Sequence, residues 1–316
     1  MHNTNLIVSM SPHFRGTLSI ERMMQTVLIG LLPAAVMALY LFGIRSLIIM
    51  VLSTVTAVVV ETVIQRLTRQ PLTYKDCHAV LTGFVLALIL PPTVPWWMPV
   101  IGAGVAIILG KMVFGGLGNY PFNPPLVAWV VLKLSWPERM SLFVEPHTAN
   151  QALTPLMALK EDPSLFYSYE IRDLFLGNVP GAIGTVCALA VLIGAAFLLY
   201  RGVIRWHIPL AFLCGVALFA AILHAINPDI HPPVLFHLLS GGLLVGAFVL
   251  APEPVTSPVT PKGMLLFGFL GGTLTMIIRM WGAYPDGTFY AILIMNAATP
   301  LFNYLKPKEY GRLHRA

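Results

Sequence analysis

The chain has 316 residues, 57% of them hydrophobic and only 10% charged. A soluble domain carries about 25% charged residues, so an ordinary soluble class is excluded. The formal net charge of +6 is spread over short stretches between apolar runs, so no basic nucleic-acid-binding patch and no nucleic-acid partner is expected.

Taken in chain order, residues 1–23 lack a short apolar core followed by a small-residue cleavage site, so no removable signal peptide is expected. Apolar runs of roughly 20 residues then recur along the whole length, each long enough to cross a bilayer as a helix. The pattern predicts ten spans, near 24–42, 46–64, 78–93, 97–114, 122–136, 181–200, 207–225, 234–251, 264–281 and 288–305. Membrane lipid is the expected surrounding.

Loop charge sets the orientation. With a cytoplasmic N-terminus, the inside segments hold Arg15, Arg22, Arg66, Arg69, Lys75, Arg201, Arg205, Lys262, Lys306, Lys308, Arg312 and Arg315. The outside segments hold only Arg45, Arg139, Lys160 and Arg172. Ten spans with both termini cytoplasmic satisfy the rule, whereas nine would place the basic tail on the side of an acidic loop. That loop, 137–180, is the one long extracytoplasmic segment and carries Glu138, Glu145, Glu161, Asp162, Glu170 and Asp173. Loops of this length usually have a function of their own, and at its centre lies "HTANQALTPLMALK", with Thr154 between Leu153 and Pro155.

Two stretches resemble each other. "LTGFVLALILPPTVPWWMPV" continues to "GKMVFGGLGNYPFNPP", and "LSGGLLVGAFVLAPEPVTSPV" continues to "MIIRMWGAYPDG". Each opens with a hydroxyl residue and glycine (Thr82–Gly83, Ser240–Gly241) and is broken by prolines (Pro91 and Pro92, Pro252 and Pro254). Each then carries a basic residue (Lys111, Arg279) and an aromatic turn, "NYP" or "AYP". The units lie five spans apart, an odd offset that inverts the second copy. The expected fold is therefore all-α and membrane-integral, with two five-helix inverted repeats containing broken helices. The chain divides into 1–136, the first repeat; 137–180, the loop; and 181–316, the second repeat.

Broken helices expose backbone that hydrocarbon cannot satisfy. Either a cofactor or ion site lies near 90–93 and 251–256, or the breaks are packing kinks. Lys111 and Arg279, near helix ends, are expected to snorkel to the interface, with pairing to a phosphate or an ion-path carboxylate as the alternative, and Glu61 to meet solvent or Arg66. Glu253, ionisable at a broken helix, is a functional candidate, and Asn123 in "PFNPP" is a candidate to hydrogen-bond either a ligand or a buried carbonyl. Cys77, Cys187 and Cys214 have no ligand spacing and read as small buried hydrophobes. His224, His231 and His237 lack helix-face metal spacing, so no metal site is expected. "FGGLGN" follows no strand and is not a nucleotide fingerprint.

The motifs "LTGFVLALILPPTVPWW", "GGLGNYPFNPP", "FLGNVPGAIG", "PVTSPVTPKG" and "YPDGTFYAILIMNAATPL", in order over nearly the whole chain, resemble the D-type component of Rnf ion-translocating electron-transport complexes. More distantly they resemble the B-type component of sodium-translocating NADH:quinone reductases, which is longer at its N-terminus. The resemblance implies FMN joined through its phosphate to the loop threonine, here Thr154, by a separate flavin transferase. The family pattern there runs Ser/Thr-Gly/Ser-Ala-Thr-Pro-Leu. "QALTPL" keeps Thr154, Pro155 and Leu156 and replaces the rest with Gln151, Ala152 and Leu153. "GAIGTVC" places Thr185, Val186 and Cys187 where the family has Glu, Thr and Ser. In "APEP", Glu253 stands where the family has Asp, near a second, non-covalent riboflavin or FMN whose edge Asn123 could meet.

The implied partners are ferredoxin-like, NADH-binding, flavin-bearing G-type and membrane A/E-type subunits. The implied setting is the bacterial inner membrane. The chain has no nucleotide domain and is expected to couple ferredoxin–NAD electron transfer to Na+ or H+ movement only within the complex; no catalytic residue is assigned. A non-redox inverted-repeat transporter or channel and the quinone-reductase component are the alternatives.

Overall fold

The computed structural model of the protein describes residues 19–73, 76–148 and 150–305. Arg15, Lys75, Lys306, Lys308, Arg312 and Arg315, used above for orientation, lie outside the described residues. The described regular structure is helical, apart from one isolated bridge between Val144 and Gln151.

The first half holds α1 (Ile20–Phe42), α2 (Ile44–Leu67), α3 (His78–Leu88), α4 (Trp97–Ile108) and α5 (Pro124–Ser135). The loop region adds two short helices, α6 (Pro155–Glu161) and α7 (Ile171–Leu176). The second half holds α8 (Ala188–Tyr200), α9 (His207–Ile226), α10 (Val234–Leu239), α11 (Leu243–Val245), α12 (Pro261–Trp281) and α13 (Thr288–Asn303). Helix thus falls within every predicted span. Among the described residues, five segments are long and apolar enough to cross a membrane by themselves: Ile20–Phe42, Ile44–Leu67, Trp97–Phe114, His207–Ile226 and Pro261–Trp281. The chain is a multi-pass membrane protein by this measure.

Two spans differ from expectation. Helix in 181–200 begins only at Ala188, because the preceding backbone serves another element. Ile183 and Gly184 donate to the carbonyls of Leu90 and Leu88 at 3.0 and 2.6 Å, pairing groups that the break after α3 leaves free. Span 234–251 is interrupted early, at Ser240–Gly242, where Gly241 takes φ +72. It resumes as α11 and a π-turn, Gly246–Leu250.

Small residues let backbones approach. On α12, Gly268 and Gly272 face α9 so closely that an added Cβ would sit 2.6 Å from Ile208 O and 2.1 Å from Phe212 O. A Cβ on Gly194 of α8 would lie 1.9 Å from Gly30 O of α1, so the first helices of the two halves touch there.

The loop is not a mere connector. Leu156, Leu159, Phe166, Leu174, Val179 and Val186 form a small apolar core of their own with Leu41 and Phe236. Pairing of Val144 with Gln151, and of the His147 amide with Leu41 O (3.0 Å), anchors it over the end of α1.

Candidate functional site

Thr154 is the N-cap of α6. Its backbone is extended (φ −68, ψ 157), and its Oγ accepts from the Met157 amide at 3.2 Å. Pro155 occupies the first helical position, where a missing N–H costs nothing. This explains locally why Thr-Pro-Leu starts a helix. Among the described residues the threonine O–H proton has no acceptor. Tyr169 fixes the preceding peptide by donating to Leu153 O at 3.3 Å, and Lys160 on α6 donates to Gly282 O.

Thr154 faces a cavity with about 870 Å³ of empty space, counting its mouth. The first half contributes Ile89, Pro91, Trp129 and Lys133, and the second contributes Ser240, Gly241, Gly242, Tyr284, Asp286 and Phe289. Trp129 meets Phe289 edge-on, centroids 4.9 Å apart. Apolar and aromatic walls with a few polar groups are what hold a flat heteroaromatic ligand. One wall group lacks a partner among the described residues: Ser240 Oγ is buried and makes no hydrogen bond.

The floor of this cavity is the helix break at Ser240–Gly242. Arg279, expected at the interface, is instead buried here, 3% exposed. Its guanidinium donates to His237 O (2.7 Å) and Ser240 O (2.9 Å), carbonyls at the end of α10. It also donates to Asp286 Oδ1 at 3.2 Å. Asp286 in turn accepts from the Gly242 amide (2.6 Å) and the Thr288 hydroxyl (2.7 Å). Burial pushes the Asp286 carboxyl up, but Arg279 and these hydrogen bonds outweigh it and hold it below the ordinary 3.8.

A second cavity, with about 640 Å³ of empty space, lies at the other broken element. His78, Thr82, Asn123, Leu250 and Glu253 line it. Asn123 is buried, and its Nδ2 donates to Leu250 O at 3.1 Å, a carbonyl freed where the π-turn ends. Glu253 is half-buried and accepts from Tyr120 Oη (2.6 Å) and Thr256 Oγ1 (2.7 Å). Tyr120 Oη also bonds His78 Nε2 (2.8 Å), and His78 Nδ1 lies 3.3 Å from Thr82 Oγ1. The two sequence candidates Asn123 and Glu253 thus share one cavity, and Thr154 lies at the other.

Lys111 also departs from expectation. Helix α4 ends at Ile108 and the chain turns, which aims the side chain inward rather than along the helix surface. Lys111 Nζ lies 2.8 and 2.9 Å from the two oxygens of Glu61, both side chains nearly fully buried. Glu61 also accepts from Gln65 and Thr73, so its partner is Lys111 and not Arg66 or solvent. Cys214 is exposed on α9 rather than buried, while Cys187 is buried. His224 Nδ1 bonds His231 O at 2.7 Å, and among the described residues no His/Cys/Asp/Glu group has metal-holding geometry.

Sequence reasoning missed Tyr120, His78, Lys133, Ser240 and Asp286. Tyr120 and Asp286 lie in or beside the repeated "NYP" and "AYP" turns, Ser240 opens the second repeat, and Lys133 is the one charge within span 122–136. Those positions were the available signals.

Residues 7–311 match the NQR2, RnfD, RnfE family. The D-type component of the Na(+)-translocating ferredoxin:NAD(+) oxidoreductase complex of Acetobacterium woodii is 41% identical over 316 residues, covering 98% of this chain and 97% of that relative. The D-type component of the ion-translocating oxidoreductase complex of Salmonella typhimurium is 36% identical over 344 residues, covering 96% and 98%.

Proposed function

The chain belongs to the NQR2, RnfD, RnfE family, and from that premise we propose that it is the D-type membrane component of an Rnf-type complex. In this reading the complex couples electron transfer between ferredoxin and NAD to movement of Na+ or H+, and this chain carries FMN on Thr154 through a phosphoester installed by a flavin transferase. The relatives' names support the assignment of complex and reaction. The position of Thr154 at an aromatic-walled cavity that also holds the partnerless Ser240 hydroxyl supports the assignment of cofactor.

The residues present fit a flavin. Thr154 has a free O–H proton, so phosphoester formation breaks no donated hydrogen bond of its own. Trp129, Phe289 and Tyr284 contribute aromatic rings to the wall. A tethered flavin supplies electron exchange with neighbouring redox groups. The protein excludes water with the apolar core beneath α6 and α7 and holds the ring beside a fixed break in the second repeat. In the second cavity, Asn123 and Glu253 would hold a non-covalent riboflavin or FMN, with Tyr120 and His78 behind Glu253.

The same reading gives ten spans in two inverted five-helix halves, both termini cytoplasmic and 137–180 outside, in a bacterial inner membrane. The paired breaks support it: each lies beside one of the two cavities. Partners are ferredoxin-like, NADH-binding, G-type flavin-bearing and A/E-type membrane subunits. Affinity purification of the tagged chain from its own cells tests this against a lone transporter. Recovery of iron–sulfur and NADH-oxidising subunits in fixed stoichiometry is expected; recovery of the chain alone, from gently solubilised membranes, contradicts it.

A further inference from the structure

Two polar groups in the Thr154 cavity are not explained by packing. Ser240 is 2% exposed; its N–H donates to Phe236 O and its carbonyl accepts from Arg279, which fixes the residue in place. Its hydroxyl is left without a partner, an arrangement that costs free energy unless a ligand meets it. Lys133 is the second group. Its ammonium gives two of its three protons to neutral acceptors, Met140 O at 3.2 Å and Ser141 Oγ at 2.6 Å, and has no carboxylate partner among the described residues. Of the residues lining this cavity only Lys133 is basic and only Asp286 acidic, and Asp286 is already engaged by Arg279. The lining therefore includes a lysine with no carboxylate partner and a buried, unused hydroxyl.

The placement favours the ring of a ligand over its tether. Lys133 lies four residues after Trp129 on α5, so the two share a helix face, and Trp129 with Phe289 makes the aromatic wall. We propose that Lys133 and Ser240 are the ring-binding residues of this cavity: Lys133 meets the negative charge that the flavin ring gains on reduction, and Ser240 donates its hydroxyl to a ring carbonyl. This rests on the reading that Thr154 carries a flavin. A cation beside the ring favours the reduced, anionic forms, so Lys133 raises the potential. Both are positioning and tuning residues, not catalytic ones.

The test uses the full chain, purified in its complex from cells containing the flavin transferase. Lys133→Met, Lys133→Gln, Lys133→Arg and Ser240→Ala are compared by flavin fluorescence on a denaturing gel, by spectroelectrochemical titration and by infrared difference spectra. Lys133→Met and Lys133→Gln are expected to keep the attached flavin and shift its potential more negative. Lys133→Arg is expected to retain the wild-type potential, and Ser240→Ala to shift the flavin carbonyl bands. Attached flavin with potential and carbonyl bands unmoved overturns the proposal alone. So does a reduced yield of attachment with an unchanged potential, which would place Lys133 on the phosphate. A wild-type chain with no attached flavin overturns both this proposal and the reading beneath it.

Discussion

At the residue scale, charge is used inward. Glu61 and Lys111 form a buried, two-oxygen ion pair that Gln65 and Thr73 complete. Such a pair is weak evidence of net stability, but breaking it strands a buried charge and costs roughly 3–5 kcal/mol. Lys111→Met alone is therefore expected to lower the unfolding temperature of the detergent-purified protein markedly, and adding Glu61→Gln to recover part of the loss. Equal loss in the single and double variants would contradict the pairing. Asp286 gives the pH-dependent case. Its carboxyl is held below the ordinary 3.8, so the contribution is complete above that value and is lost as pH falls through the lower native value. The difference in unfolding temperature between wild type and Asp286→Asn is expected to be large at neutral pH and to shrink below about pH 4. A difference independent of pH would sink the assignment.

At the scale of elements, each helix break is met by a hydrogen-bonding partner. The break after α3 is paired by backbone from 183–184, the break at Ser240 by Arg279, and the end of the π-turn by Asn123. Helix existence was legible because apolar runs of span length are unambiguous. The breaks were legible only where proline marks them. The late start at Ala188 and the interruption at Ser240 carry no proline and arise from long-range pairing, which no local pattern encodes. The inward turn of Lys111 was hidden for the same reason: an ordinary helix end predicts snorkelling, and only the partner's position decides otherwise. Close helix contacts were not legible either, since a glycine does not announce what approaches it. Gly194→Ala is expected to push α8 from α1 and cost about 1–3 kcal/mol, read as a lower unfolding temperature; an unchanged value would show that the Gly30–Gly194 approach is not tight.

At the scale of the molecule, the two halves meet around two cavities, one beside the breaks after α3 and at Ser240–Gly242 and the other beside residues 250–254. The sequence candidates divide between them, Thr154 at one and Asn123 with Glu253 at the other. What sequence patterns could not supply was the wall: Lys133, Ser240 and Asp286 are distant in sequence and converge only through tertiary packing. Exposed apolar residues along α1 and α2, such as Val36, Val51, Val55 and Val59, are consistent with lipid or another membrane protein against that face. The orientation is checked by Glu161→Cys, on the exposed surface of the loop. A membrane-impermeant maleimide is expected to label it in intact cells above the parent chain, and labelling only after lysis would reverse the topology.

The most direct measurement is in-gel flavin fluorescence of the denatured chain, expressed together with a flavin transferase, for wild type and Thr154→Val. A fluorescent band is expected in wild type and is expected to disappear in Thr154→Val at equal protein. A dark wild-type band, or fluorescence that survives the substitution, would contradict the assignment of Thr154 as the flavin-bearing residue.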